Sequence, residues 1–451
     1  LISCGLLANI ILEAGVMQLA LSVNKEKLGA MGATPDLLKE QAMGAMQTSY
    51  LVMGLINALT LPFLAPVIQE IADGKPTSLP FTAFFLCFAV FMIPAGGLAE
   101  KGHTKALLIF GIIMETLGCL LVSMMPTLAG ITIGRGLSGL GQGVFLVGFQ
   151  SFVVSVTPPS ERTQGQSLKV IIRYAVLVAG SAIGSLMYVY LDYIPVFMIS
   201  CGLGALMLLY ILINLPDPNN PAFQMHGTVI LEKQEKEKKS VFGLGAALHS
   251  LCDLEFMKTL LLSGIPSKVA VAGVAMFCFP MLLTEKGISS ESIGRYLMLY
   301  YVACMIVSHW IAKYADKSGK TKSLLVWSAF VGGASFVLLG GLTGGAIQLP
   351  AGSETLMIAL LAASVFLGVM ANGMNAAPVV THIGKTPVSK VEGRKTIMAV
   401  YGFFERMGHV AGPALLVYGT TLAGSMGQAI MYFGITSIVM GIAFLALSKI
   451  K

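Results

Sequence analysis

The chain has 451 residues, 55% of them hydrophobic and only 11% charged, with a formal net charge of +7 and a mean hydropathy of +0.81. Soluble domains carry about 25% charged residues, so a deficit spread over the whole length excludes an ordinary soluble globule. The basic surplus lies in short clusters between apolar runs, which excludes a nucleic-acid-binding face and fits the loops of a polytopic membrane protein.

A spanning helix needs about 20 mostly apolar residues. That length predicts segments at 1–23, 48–71, 79–98, 106–125, 128–154, 168–191 and 194–215. After a polar break at 216–258 come 259–283, 293–311, 323–342, 354–380, 397–422 and 428–447. The break contains "LEKQEKEKKS", a mixed-charge run of amphipathic or disordered character. It divides the last twelve segments six and six, into bundles at 48–215 and 259–451 joined by a loop. Segment 1–23 with its connector, through residue 47, stands apart. The chain opens on Leu1 instead of Met, as expected of a fragment of a longer protein.

Orientation follows from Lys and Arg. With the break placed inside, only Lys75 and Lys286 of the 29 basic residues fall in outer loops, and Arg135, Arg173, Lys268, Arg295 and Arg406 fall within helices. The rest cluster inside, which puts both ends of the twelve-segment unit in the cytoplasm. The seven cysteines, Cys4, Cys87, Cys119, Cys201, Cys252, Cys278 and Cys304, sit mostly in apolar runs with no CxxC and no metal spacing. They read as small hydrophobes, and neither metal nor cofactor is expected.

The chain repeats itself. "GGLAEKGHTKALLIF" recurs as "KYADKSGKTKSLLVW", and "TPPSERTQGQSLKVIIRYAVLVAGSAIGSL" as "TPVSKVEGRKTIMAVYGFFERMGHVAGPAL". Pro159, Gly165, Gly180 and Gly184 match Pro387, Gly393, Gly408 and Gly412 at one constant offset, and Pro66 aligns with Pro280. Two six-helix halves related by an axis along the membrane normal explain this pattern.

Over roughly residues 48–451 these features resemble the major facilitator superfamily of secondary transporters. The loop Asp316-Lys317-Ser318-Gly319-Lys320 is similar to that family's loop after its second or eighth helix. Its first-half copy, Glu100-Lys101-Gly102, uses Glu for Asp and is one residue short. The resemblance implies that Glu100, Lys101, Asp316, Lys317 and Gly319 cap helices and gate the cytoplasmic side. "GRGLSGLGQG" around Arg135 looks like the fourth-helix arginine motif of proton-coupled antiporters, with glycines that let helices approach closely. Gly408, Gly412 and Pro413 resemble the antiporter bend motif, but displaced to the eleventh helix; the fifth-helix copy at Gly180 and Gly184 lacks the proline. The implied fold is all-α, a twelve-helix facilitator plus one extra N-terminal transmembrane helix. The implied place is a bacterial cytoplasmic (inner) membrane.

Charges inside apolar segments are costly, at least about 2.5–3.5 kcal/mol each near a bilayer centre. In "YGFFERMGHVAGPALL" Glu405, Arg406 and His409 break such a run. Adjacent helical residues point about 100° apart, so Glu405 and Arg406 pair poorly, whereas Glu405 and His409 share a face. Lys268 has no acid in its own helical neighbourhood. Interior Arg135, Arg173, Lys268 and Arg406 outnumber Glu115 and Glu405, so an anionic solute is expected to supply the missing charge. Arg406 and Lys268 are the expected anion contacts. The resemblance adds Asn57, Asn372, Asn375 and Tyr401 on cavity-lining helices, with Tyr296, Tyr300 and Tyr301 as further aromatic walls. Glu405, His409, Glu115 and Arg135 are the expected proton-coupling groups.

Enzymatic readings fail on spacing. "SGKTK" ends like a phosphate loop, but Tyr314 stands where its first glycine belongs. "GLSG" at Gly136–Gly139 copies the letters of an intramembrane serine protease without its architecture. The expected function is therefore secondary transport of a small organic anion by alternating access, coupled to protons, with membrane lipid as surroundings and no nucleic-acid partner. Two rivals stand beside it. One is a transporter-like domain fused to an upstream sensor, with "NKEKLGAMGATPDLLKEQ" as connector; the other is multidrug efflux, which predicts cationic or neutral solutes.

Overall fold

A computed structural model describes residues 35–75, 77–156, 162–215, 244–350 and 354–449. The expected extra helix at 1–23 and most of the break at 216–258 lie outside them. Every regular element among the described residues is helical.

The first helices are α1 (Pro35–Ala58), α2 (Leu61–Ile71), α3 (Leu79–Glu100), α4 (Thr104–Met124), α5 (Leu128–Val156), α6 (Arg162–Leu191) and α7 (Tyr193–Asn214). After the break come α8 (Leu244–Cys252), α9 (Leu254–Thr259), α10 (Ile265–Val269) and α11 (Phe279–Glu285). Two wider π-helical stretches, Leu260–Gly264 and Ala270–Cys278, join α9, α10 and α11 into one long span. Then follow α12 (Ser290–Ser318), α13 (Thr321–Thr343), α14 (Glu354–Ile383), α15 (Pro387–Glu392), α16 (Arg394–Glu405), α17 (Met407–Ala423) and α18 (Met426–Lys449).

Among the described residues, eleven helical spans are long and apolar enough to cross a membrane, by length and composition. The segment expected at 397–422 is missing from that set for a local reason: Arg406 separates α16 from α17, and each piece alone is short. The first span of each half starts earlier than expected. Helix α1 begins at Pro35, and the span after the break begins at Leu254, inside the stretch read as loop.

The chain divides into two compact units, Leu1–Phe63 with Cys87–Lys238, and Leu64–Leu86 with Lys239–Lys451. The boundary runs through α2 and α3. In the first unit α4 buries the stripe Leu107, Leu108, Gly111, Ile112, Glu115, Gly118, Cys119 and Val122, spaced as one helical face requires. Glycines make its contact with α5 close: a Cβ at Gly141 would stand 2.6 Å from the Glu115 amide nitrogen, and one at Gly111 would stand 2.7 Å from the Gly141 carbonyl. In the second unit α13 and α18 meet the same way, where a Cβ on Gly434 would stand 2.7 Å from the Gly333 carbonyl. Small residues serve this purpose in lipid, where association rests on packing and not on hydrophobic exclusion.

The repeat glycines do equivalent work in each unit. Gly180 and Gly184 on α6 bring its backbone against Ala58 and Leu59. Their matches Gly408 and Gly412 on α17 meet Ile265, Lys268, Val269 and Gly273. Side chains at any of these four would separate the first helix of a half from its fifth.

Candidate functional site

Helix α16 ends at Glu405 because the chain tightens there: the Arg406 amide bonds the Phe403 carbonyl at 3.2 Å instead of continuing the regular ladder. The Arg406 carbonyl then accepts from the His409 amide at 2.9 Å and the Val410 amide at 3.1 Å, starting α17. Its guanidinium Nη1 donates to the Gly402 carbonyl at 3.0 Å. Gly408, two residues on, has no side chain to hold α17 away from α10, so Lys268 comes within reach. Lys268 Nζ lies 3.7 Å from Glu405 Oε2, with the two side chains 22% and 16% exposed.

Lys268, isolated in sequence, has its carboxylate partner on a distant helix. The ring of His409, expected to couple with Glu405, lies against Phe85 with centroids 5.2 Å apart. Tyr401, one turn before Glu405, is buried at 2% exposure; a Cβ at Gly264 would collide with its hydroxyl.

The second charged pair lies in the first unit. Glu115 on α4 and Arg135 on α5 are 0% and 2% exposed, and they act on each other electrostatically. Neither oxygen of Glu115 makes a hydrogen bond among the described residues. Arg173 on α6, counted among the interior cations, is exposed.

Asn372 and Asn375 belong to a different cluster. They line a pocket inside the second unit with Ser263, Tyr300, Ser328 and Ser437. Asn375 donates through Nδ2 to Ser263 Oγ at 2.8 Å and to Ser328 Oγ at 3.4 Å, and Asn372 Nδ2 donates to Cys304 Sγ at 3.6 Å. Tyr296 is exposed and Tyr301 buried. Asn57 sits at the end of α1 in the first unit, its carbonyl accepting from Thr60 Oγ1 at 2.9 Å and its Nδ2 without a hydrogen bond among the described residues.

Of the expected gating residues, the side chains of Glu100 and Asp316 lie outside the described set, although both backbones are helical. Lys101 and Lys317 are exposed. Gly319 adopts φ 67°, the left-handed conformation that ends α12.

One charged cluster escaped the sequence reading. Glu255 Oε1 accepts from Lys258 Nζ at 2.7 Å and faces Lys322 Nζ at 3.7 Å, while its Oε2 lies 3.7 Å from His382 Nε2. Lys258 is 3% exposed and lies 5.0 Å from the centre of the Phe444 ring. The signal was present: Glu255 and Lys258 stand three apart, but both fell in a stretch read as loop. Among the described residues no cluster of three or more His, Cys, Asp or Glu is arranged to hold a metal.

The purine ribonucleoside efflux pump NepI of Escherichia coli K12 is 27% identical over 180 residues, 39% of this chain and 44% of that protein. The pump of the same name from Shigella sonnei matches over the same extent. The chain thus spans under half the length of these curated relatives. Among solved structures, a POT family transporter bound to a thioalcohol-conjugated peptide aligns with TM-score 0.66 at 13% identity, covering 90% of this chain and 96% of that one. The human organic anion transporter MFSD10 aligns with TM-score 0.58 at 15% identity, covering 90% and 99%. These likenesses are of fold. Residues 48–413 match the family model described as Major Facilitator Superfamily, and with apolar helices throughout that stretch the chain belongs to this superfamily of integral membrane transporters.

Proposed function

We propose that the protein is a proton-coupled secondary transporter that moves a small organic anion by alternating access, in the cytoplasmic membrane of a bacterium. The observation that carries this reading is the Lys268–Glu405 pair, 3.7 Å apart, with Arg406 next in the chain. Lys268 is partly desolvated, and a partly desolvated cation favours an anionic ligand. While Glu405 is ionised it holds Lys268. A proton on Glu405 removes that attraction and frees the ammonium for the solute, so proton and anion are taken up together. Arg406 presents a planar fork suited to a carboxylate or phosphate. Glu115 and Arg135 form a second buried pair, for which proton coupling is the corresponding role.

The curated relatives from Escherichia coli and Shigella support the bacterial placement. Reconstituted vesicles test the function. An inward proton gradient is expected to drive uptake of an organic carboxylate or phosphate ester against its concentration, and dissipating the gradient to abolish accumulation. Stabilisation of the purified chain by cationic drugs, and not by anions, would overturn the reading in favour of multidrug efflux.

A further inference from the structure

We infer that the turn between α12 and α13 is a docking site for anionic phospholipid, which it holds by the phosphate headgroup in the adjoining leaflet. The inference does not rest on the anion-transport reading.

The chain has two tryptophans, Trp310 and Trp327, and the turn at Gly319 lies between them. Gly319 adopts φ 67°, which reverses the chain within a few residues. Trp310 precedes it and Trp327 follows it by nearly the same number of positions, about 12 Å along each helix at about 1.5 Å per residue. Both rings therefore reach about one depth. Trp310 is 73% and Trp327 57% exposed. Tryptophan on the outside of a membrane protein favours the headgroup boundary, where its apolar ring and polar edge are both accommodated.

Lysines stand between the rings and the turn. On α12, Trp310, Lys313, Tyr314 and Lys317 recur at spacings of three and four, so they share one face, and all four are exposed. Past the turn, Lys320, Ser323 and Trp327 repeat that spacing and that exposure. Between residues 313 and 322 four lysines accompany one acid, Asp316. Lys322 faces Glu255 Oε1 at 3.7 Å, whereas Lys313, Lys317 and Lys320 extend outward. Ammonium groups near the turn with aromatic rings deeper along both helices match a lipid that carries its negative charge above an apolar tail.

The internal repeat supplies a comparison. The first-half copy of this turn, between α3 and α4, also bends at a glycine of positive φ, Gly102. There Ile93, Gly96, Glu100, His103 and Phe110 occupy the positions of Trp310, Lys313, Lys317, Lys320 and Trp327. That copy keeps Lys101 exposed with Glu100 beside it, and Lys105, the match of Lys322, donates to the Leu215 carbonyl at 2.7 Å. A general excess of basic residues on this side of the membrane would serve both turns alike. Here both tryptophans and the three outward lysines gather on one.

Because both tryptophans lie at the proposed site, intrinsic fluorescence reads lipid contact there directly. The full chain is placed in nanodiscs of phosphatidylglycerol and phosphatidylcholine in equal parts, with bromine high on the acyl chains of one lipid or of the other. Lipids that mix at random around the chain quench equally. Bromine on phosphatidylglycerol is expected to quench at least about twofold more strongly. Replacing Lys313, Lys317 and Lys320 together by Gln should bring the two signals level. On the wild-type chain about 1 M salt should do the same, since it shortens the screening length to about 3 Å, which keeps the test open if the variant fails to fold. Equal quenching by the two lipids in the wild type, or a phosphatidylglycerol preference that survives salt or the folded triple variant, would overturn the inference. Fluorescence is read with no gradient and no solute, so its failure is separate from any failure of anion transport.

Discussion

Lys268 Nζ and Glu405 Oε2 stand 3.7 Å apart on two helices that Gly408 lets approach. The pair is neither fully dry nor exposed, with the two side chains 22% and 16% exposed. Proton and solute are linked if the same ammonium serves both in turn.

Glu405→Gln removes the proposed proton site and leaves Lys268 without this carboxylate. Transport is expected to lose its dependence on external pH, and proton-driven accumulation to fall by at least about tenfold, a change of about 1.4 kcal/mol in driving free energy. Gradient-free exchange of the anion should persist. Uptake measured from pH 5 to 8 in vesicles decides this; an unchanged pH profile would remove Glu405 from the coupling role.

Arg406→Lys keeps the charge and discards the planar fork. Anion affinity is expected to weaken by about tenfold, because an ammonium cannot reproduce two parallel hydrogen bonds. The same change removes the bond to the Gly402 carbonyl, at a cost of about 1 kcal/mol in stability. Binding and thermal unfolding measured on one sample separate the two effects. Intact affinity with a lowered midpoint would assign Arg406 to the helix junction alone.

Much of this architecture is legible in the amino-acid order because lipid imposes simple rules. Apolar runs of spanning length and the paired glycines Gly180/Gly408 and Gly184/Gly412 announce two repeated halves, and the structure uses those glycines as contact points in both. What stayed hidden depends on tertiary placement. The partner of Lys268 lies far along the chain, so neighbours three and four away said nothing of it. The charges at Glu405 and Arg406 are visible in the sequence, but that the helix itself breaks there shows only in the backbone hydrogen bonds. The polar side chains in the pocket around Asn375 are largely serines, each ordinary alone, and the protons of Ser328, Ser335 and Ser364 go to backbone carbonyls. Local spacing did contain Glu255 and Lys258, but the early start of the span at Leu254 was obscured by polar residues around it.

The contact between α4 and α5 gives a steric prediction. Gly141→Leu would place atoms where the backbone of Glu115 runs, since even a Cβ would approach the Glu115 nitrogen to 2.6 Å. Separation of the helices should cost about 3 kcal/mol or more and expose the Glu115–Arg135 pair. Gly96→Ala is the matched control, because nothing lies within 4 Å of a Cβ there. Size-exclusion profiles of the detergent-extracted proteins should show the first aggregated and the second monodisperse. Equal behaviour would mean that the contact is looser than the structure has it.

The cluster around Glu255 predicts an asymmetry between two single changes. Lys258 is the buried member, with 1% of its side chain exposed against 35% for Glu255. Glu255→Gln strips the carboxylate from a buried ammonium and also from Lys322 and the ring of His382, leaving the two ammonium groups without their shared anion. Removing one partner of a fully buried pair costs about 3–5 kcal/mol; solvent at Glu255 screens part of this, so about 2 kcal/mol is expected. Lys258→Met keeps the length and the packing on Phe444 while removing the buried charge, and Glu255 retains Lys322 and His382. Its cost should stay below about 1 kcal/mol, since apolar replacement of a buried ion is often neutral. The double variant should then recover most of the stability lost by Glu255→Gln, a non-additivity that only direct coupling produces. Thermal midpoints of the four proteins in one lipid nanodisc composition complete the cycle. If Glu255→Gln is as mild as Lys258→Met and the effects simply add, Lys258 draws its stability from Phe444 and the backbone, and Glu255 is a solvated neighbour instead of the centre of the cluster.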